Sequence, residues 1–316
     1  MTSKKVLLLG GILLDRYYEV DRYPRAGQDT LIRRSFDAVG GCCMNVAVTL
    51  KNLGDNPIIV DQYGQDEAGK QIFENLNTLG LSTDCLIQSI CKNTGYCLNI
   101  LSADGERTFF TYRGCEADFP QEIIKSIQDQ ELDFVYIIGY YLLNLKTAHT
   151  TIGLLNNLRS RNIPILFDPG PLVGEIDALI LKQVCICSDW LTPNRTELAA
   201  LQKRLTSDCD LLQQFFASGG KGVVVKKGNR GQEVFTPHHS FTQKGYKVKV
   251  VDTTGAGDSF DAGFIHGLMN NFSLSQTLSI AGACGAIATT FKGPHGVFDM
   301  KDVNMLILEQ GNPYAE

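Results

Sequence analysis

The run Asp252-Thr253-Thr254-Gly255-Ala256-Gly257-Asp258 sets two glycines and a methyl group directly ahead of Phe260, Phe264 and Leu268, which recur at helical spacing. The chain must therefore turn tightly and enter a helix within a few residues. Just upstream, Tyr246, Val248 and Val250 alternate with Lys247 and Lys249, which predicts a half-buried strand. Glycines at 255 and 257 let the backbone approach a ligand closely. With Ala256 between them and a helix N-terminus behind, they form an anion hole in which the dipole favours negative charge by roughly 0.3 to 1 kcal/mol. Asp258 would repel a bound phosphate, so its useful role is to accept a proton from an attacking hydroxyl. A general base of this kind is worth about 10² to 10⁴ in rate. The run reads as a phosphoryl-transfer site.

A second motif lies near the other end, Gly40-Gly41-Cys42-Cys43-Met44-Asn45. Val46, Leu50 and Leu53 mark one helix face with Gly54 as its stop, so the glycines and Asn45 fall at the start of that helix. Further upstream, Val6 to Leu9 is an unbroken apolar run, as in strands buried on both faces, and ends in Gly10-Gly11 before Asp15. In open α/β sheets ligands gather at the carboxyl ends of strands.

With average composition, Asp-Thr-x-Gly-Ala-Gly-Asp arises by chance in a chain this long only about once in 10⁵. Together with Gly-Gly-x-x-x-Asn it resembles the signatures of the PfkB, or ribokinase-like, family of carbohydrate kinases. The resemblance implies that Asp15, Gly40, Gly41 and Asn45 bind the substrate, with Asp15 taking sugar hydroxyls. It implies ATP as donor, and Asn194 with Glu197, in Asn194-Arg195-Thr196-Glu197, as the phosphate-side and Mg²⁺ residues, the ion held through water. Lys226, Gly228 and Gly231, after the apolar run Val223 to Val225, match the segment that passes under the nucleotide. Asp252, Thr254, Ala288 and Gly293 match a possible K⁺ site, although Val297 stands where several members carry a hydroxyl.

The expected fold is α/β, a doubly wound, mostly parallel sheet with helices on both faces, because apolar runs at 58–60, 134–138, 165–167, 190–192 and 223–225 alternate with helical stretches such as Ile152, Leu155 and Leu158. Strand-like pieces at 12–36 and 94–113, the latter turning through Asp104-Gly105, do not alternate with helices. They are expected to form a small β-sheet lid, leaving 1–11, 37–93 and 114–316 as the core. In the resembling family such a lid covers the sugar and is a frequent dimer surface, so a homodimer through the lid is expected.

Of the 316 residues, 29 are basic and 34 acidic, with no basic stripe of the sort nucleic acid needs. Apolar runs are too short to span a bilayer, and the first residues lead straight into a strand without a cleavage-site pattern. A cytoplasmic protein with no nucleic-acid or membrane partner is expected. Ten cysteines form no Cys-x-x-Cys pair, which points to reduced, buried thiols. Cys185-x-Cys187 has strand-like spacing, and Cys42 and Cys43, at a helix N-terminus, are candidates for unusual reactivity.

The expected reaction is direct transfer of the γ-phosphate to a primary hydroxyl, with Asp258 as base. The acceptor is a small sugar, a sugar acid such as a 2-keto-3-deoxygluconate-type substrate that Arg113 could meet, or a nucleoside stacked on Tyr17, Phe109 or Tyr112. A phosphosugar would need a basic cluster such as Arg33, Arg34 and Arg113. Other classes are disfavoured: a silent sugar sensor would be expected to lose the base or the anion hole, and Gly10-Gly11-Ile12-Leu13-Leu14 lacks the dinucleotide-binding Gly-x-Gly-x-x-Gly.

Overall fold

The structure, a computed structural model, describes residues 3–103, 107–119, 121–124, 127, 130–205 and 211–311. The strands are β1 (Lys5–Leu9), β2 (Leu13–Val20), β3 (Ile32–Gly40), β4 (Asn56–Gly64), β5 (Leu86–Ser89), β6 (Tyr96–Ser102), β7 (Arg107–Tyr112), β8 (Phe134–Ile138), β9 (Ile165–Asp168), β10 (Trp190–Leu191), β11 (Gly222–Lys226), β12 (Gln232–Phe235) and β13 (Ser240–Gln243).

Strand β1 shows why the core is layered. Its Leu7 and Leu9 belong to one hydrophobic cluster and Val6 and Leu8 to another, since successive side chains of a strand point to opposite faces. Both faces must be covered. The helices Leu145–Ser160 and Ala178–Cys187 close one side through Leu155, Leu158 and Leu181. The helices Cys42–Asn52, Ala256–Met269 and Leu274–Ala288 close the other through Met44, Leu50, Phe264 and Leu278.

The main sheet runs β13-β12-β11-β10-β9-β8-β1-β4-β5, with the β11–β12 and β12–β13 pairings antiparallel and all others parallel. From β1 the chain winds outward in both directions, so the carboxyl ends of β1, β8 and β9 open onto a switch point of the kind that holds ligands. A separate sheet, β3-β2-β6-β7, stands apart. Its strand β3 runs on to Gly40, four residues past the expected boundary at 36, so the Gly40-Gly41 motif begins at the end of a small-sheet strand. The turn expected at Asp104-Gly105 lies outside the described residues, but Leu101 pairs antiparallel with Arg107 across it.

Two expectations fail. The predicted strand at Tyr246 to Val250 forms no strand and joins no sheet. Its backbone bonds go elsewhere: Lys247 N–H donates to Gln310 Oε1, and the Lys247 carbonyl accepts from Gln310 Nε2, at 2.9 and 2.8 Å. Tyr246 is buried against Ile280 and Ala283 while Val250 is 57% exposed, so the alternation reflects one anchoring ring rather than a ladder. Cys185 and Cys187 lie at the end of a helix, not in a strand. Among the described residues no helix is long and apolar enough to cross a membrane.

Candidate active site

The site is built where two helix N-termini meet the end of β1. After that strand Gly10 and Gly11 adopt φ 99° and 76°, and the first turn of the Cys42–Asn52 helix is set against them. A Cβ on Gly41 (φ 95°) would lie 2.1 Å from the Gly11 carbonyl oxygen, so only glycine permits this approach. Gly40 is open for another reason: a Cβ there would strike Asp15 Oδ2 at 2.0 Å.

The same helix packs on Ala256–Met269, and Thr49 Oγ1 meets Ser259 Oγ at 3.1 Å. One turn earlier on the first helix and one residue earlier on the second, Asn45 Nδ2 donates to Asp258 Oδ2 at 2.7 Å, while Asn45 Oδ1 is buried with no protein partner. Asp258 follows the glycine turn. Gly255 caps the helix at φ 73°; the first-turn Gly257 N–H has no partner within the helix, and the Ala256 N–H makes only a long 3.4 Å turn bond to the Thr253 carbonyl. Burial pushes the Asp258 carboxyl up to about 6, against the bond from Asn45.

Asp15, 6% exposed at the start of the small sheet, accepts a 2.8 Å hydrogen bond from Asn99 Nδ2 on β6. Its carboxyl is also pushed up to about 6, first by burial and then by the Asp258 and Asp252 carboxylates, while Asn99 lowers it. Asp15 on the small sheet and Asp258 in the first turn of a core helix thus face each other closely enough to interact.

On the other side of the glycine turn lies a charge cluster. Lys226, at the end of β11, donates to Asp168 Oδ2 at 2.9 Å and Asp261 Oδ2 at 3.1 Å, and its Nζ would lie 3.6 Å from a Cβ on Gly257. Burial disfavours its charge, but Asp168, Asp261 and Glu197 outweigh that and hold it protonated. Glu197 Oε2 accepts the Asn194 N–H at 2.7 Å and Oε1 accepts its side-chain amide at 2.6 Å. Asn194 therefore acts as the clasp of Glu197. Burial, then Asp168, raise the Glu197 carboxyl to about 7. Among the described residues no three ligands are preassembled for a metal. A buried Glu197 carboxylate with Asp168 beside it would nevertheless suit Mg²⁺, which keeps its waters and takes few protein carboxylates.

Beside this cluster a cavity of about 570 Å³ is lined by Lys226, Gly228, Gly231, Tyr246, Gly257 and Gly285. Asp252, Thr254 and Gly293 also converge: Asp252 Oδ1 accepts the Thr254 N–H at 2.8 Å and Oδ2 the Gly293 N–H at 3.2 Å. Ala288 ends the neighbouring helix.

Arg113 stands in a buried charge cluster with Glu116 and Asp61. Its Nε lies 3.5 Å from Glu116 Oε1, and its charge acts on Asp61, whose carboxylate holds the Ile12 N–H at 2.7 Å. Cys42 and Cys43 depart from expectation as well: burial, and the Asp258 carboxylate for Cys42, push both thiols well up, outweighing the helix N-terminus. The nine described cysteines are all free, and Cys91 is exposed. Cys91 is expected to alkylate well before Cys42 at neutral pH, as peptide mapping after a short exposure to iodoacetamide would reveal; equal rates would contradict the burial argument.

Sequence reasoning passed over Asp168, Asp261 and Asn99. Asp168 carried a usable signal, an acid ending an apolar run before Pro169-Gly170, and so did Asp261, an acid within an otherwise apolar helix. Asn99 carried none.

Comparison with known proteins is consistent with this geometry. The model of the pfkB family carbohydrate kinases matches residues 3–298. The chain belongs to the pfkB family of carbohydrate kinases. It is thus a phosphotransferase of the sugar and nucleoside kinase class. Within the pfkB family it is similar to an ATP-dependent ribose-1-phosphate kinase of Halopiger xanaduensis, 28% identical over 92% of this chain and 93% of that protein. It is also similar to fructokinase-2 of Oryza sativa subsp. japonica, 29% identical over 81% of this chain and 80% of the relative. Among solved structures, ribokinase from Thermotoga maritima superposes with TM-score 0.82 at 23% identity, covering 97% of this chain and 99% of that one. The Arabidopsis thaliana ribokinase complexed with ribose and ATP gives 0.80 at 24%, over 97% and 99%. At that identity the likeness concerns the fold.

Proposed function

We propose that this pfkB kinase transfers the γ-phosphate of ATP to a primary hydroxyl of a small sugar. The observation that carries this reading is the 2.7 Å contact between Asn45 and Asp258, which sets a base beside a substrate-type amide at the mouth of the Gly255–Gly257 turn. Asp15 and Asn45 hold the sugar, Asn45 using the oxygen that lacks a protein partner. Asp258 takes the hydroxyl proton, the oxygen attacks in line, and the amides of Gly255, Ala256 and Gly257 stabilise the charge that develops. No covalent enzyme intermediate is needed. Gly228 and Gly231 line the groove for the adenosine, and Lys226 lies under the phosphates. Glu197, clasped by Asn194 and seconded by Asp168, would hold Mg²⁺ through water, an ion that supplies charge neutralisation at the phosphoryl group.

Small sugars are favoured over the family's other acceptors by what the basic and aromatic side chains already touch. Arg113 already faces the Glu116 carboxyl at 3.5 Å, with which a sugar acid's carboxylate would have to compete. Arg33 pairs with Asp21 and Arg34 lies over Phe36, so no phosphate-binding trio with Arg113 is assembled. Tyr17 stacks on Phe36 at 4.6 Å rather than offering a free face to a base. Phe109, Phe110 and Tyr112, all about half exposed on the small sheet, support that sheet as the homodimer surface.

A panel of sugars, sugar acids and nucleosides assayed for ADP release tests the reading; binding without turnover would leave a sensor instead. With the accepted sugar, kcat/KM is expected to fall on the acid side of about pH 6. The base works only when ionised, and the Asp258 carboxyl is pushed up to about 6, so activity rises with pH through that value and levels above it. An acid limb near pH 4 would mean that an unperturbed carboxylate, or none, is the base.

A further inference from the structure

Strand β7 opens on Arg107, whose side chain crosses from the small sheet to the turn ahead of the phosphate cradle. Its Nη1 lies 2.7 Å from Asp252 Oδ1, 3.0 Å from Thr254 Oγ1 and 3.2 Å from Thr253 Oγ1. Asp252 is the residue expected to anchor a monovalent cation, yet both its oxygens already hold N–H groups and the guanidinium meets its charge. Val297 is 85% exposed and brings no side-chain oxygen. The donor set therefore does not fit a second cation. A guanidinium suits the position because it stays charged and offers several donors in a fixed plane.

We infer that Arg107 is a positioning residue that does in this chain what a bound monovalent cation would do. It neutralises Asp252 and fixes residues 252–254, from which the Gly255–Gly257 turn is hung. Because Arg107 rides on the small sheet, this happens only when that sheet is down on the core, so covering the sugar and completing the anion hole become one event. The effect on turnover rests on the kinase reading; the contact does not.

The full chain, Arg107→Ala and Arg107→Gln are compared in potassium chloride and in choline chloride at equal ionic strength. Two readouts are taken, hydrogen exchange of residues 252–258 without substrate, and steady-state kinetics with the accepted sugar. The wild type is expected to exchange and turn over alike in both salts. Both variants should exchange faster over 252–258 and lose kcat by about tenfold or more with a smaller change in sugar KM, on the scale of coupling between distinct sites. Arg107→Gln keeps the aliphatic stem and a polar end but removes the charge and the guanidinium, so an unchanged melting temperature with the same loss separates the missing contact from a folding defect. Potassium stimulation of the wild type by more than about fivefold would overturn the inference. Unchanged exchange at 252–258 in both variants would do the same. Should no compound in the panel be phosphorylated, the kinase reading falls while the exchange arm still decides the role of Arg107.

Discussion

Replacing Asp258 with asparagine is expected to lower turnover by about 10² to 10⁴ while leaving sugar binding largely intact. The amide keeps the shape and can still face Asn45, but it cannot accept the hydroxyl proton. Calorimetric titration with the sugar and a coupled assay for ADP separate the two effects, and near-normal turnover would remove Asp258 from the mechanism. The same variant carries a stability signature. Asp15 and Asp258 are raised to about 6 and Glu197 to about 7, chiefly by burial. A carboxyl raised in the folded state binds more protons there than in the unfolded chain, so its contribution to stability is lost as pH rises through the folded value. The unliganded protein should therefore lose stability between about pH 4 and 7. Asp258→Asn, lacking one of these groups, should melt no lower than the parent above that window. Sugar hydroxyls or an Mg²⁺ ion bound among these carboxylates would offset that loss.

Gly255→Ala is expected to damage both the chemistry and the fold. The position adopts φ 73°, and a Cβ there would lie 1.9 Å from the Pro294 carbonyl oxygen, with Asn45 Nδ2 at 3.5 Å. Left-handed backbone costs a non-glycine residue roughly 1–2 kcal/mol even without a clash. The clash itself must displace either the 293–296 loop or the first amides of the helix, and losing one donor to a developing oxyanion costs about 10² to 10³ in kcat. Gly54→Ala, at the stop of the Cys42–Asn52 helix, is the control, since φ is 94° there but a Cβ would meet nothing within 4 Å. It should show the backbone cost alone, with kcat close to normal. Urea unfolding and kinetics on the pair distinguish the two, and equal kcat values would mean that the glycine turn is not the cradle.

These expectations draw unequally on sequence and structure. Strands β1, β4, β8, β9 and β11 were legible because a strand covered on both faces is apolar at every position, and the helix starting at Cys42 because its apolar residues keep one face. The alternation at Tyr246 to Val250 misled because period-two burial arises equally from one anchored ring on a loop. Cys185 and Cys187 misled because two residues are too few to set a period.

What the sequence determined by itself was the local chemistry: a tight glycine turn into a helix with an acid in its first turn, and a glycine pair leading to Asn45. These are contiguous, and backbone sterics and the helix dipole act over a few residues. Only the tertiary structure decided which charges face one another. Asn45 and Asp258 are 213 positions apart, Arg107 and Thr254 147, and Lys226 and Asp168 58. Electrostatic pairing depends on distance in space, and no local pattern records which distant segments the packed layers bring within 3 Å.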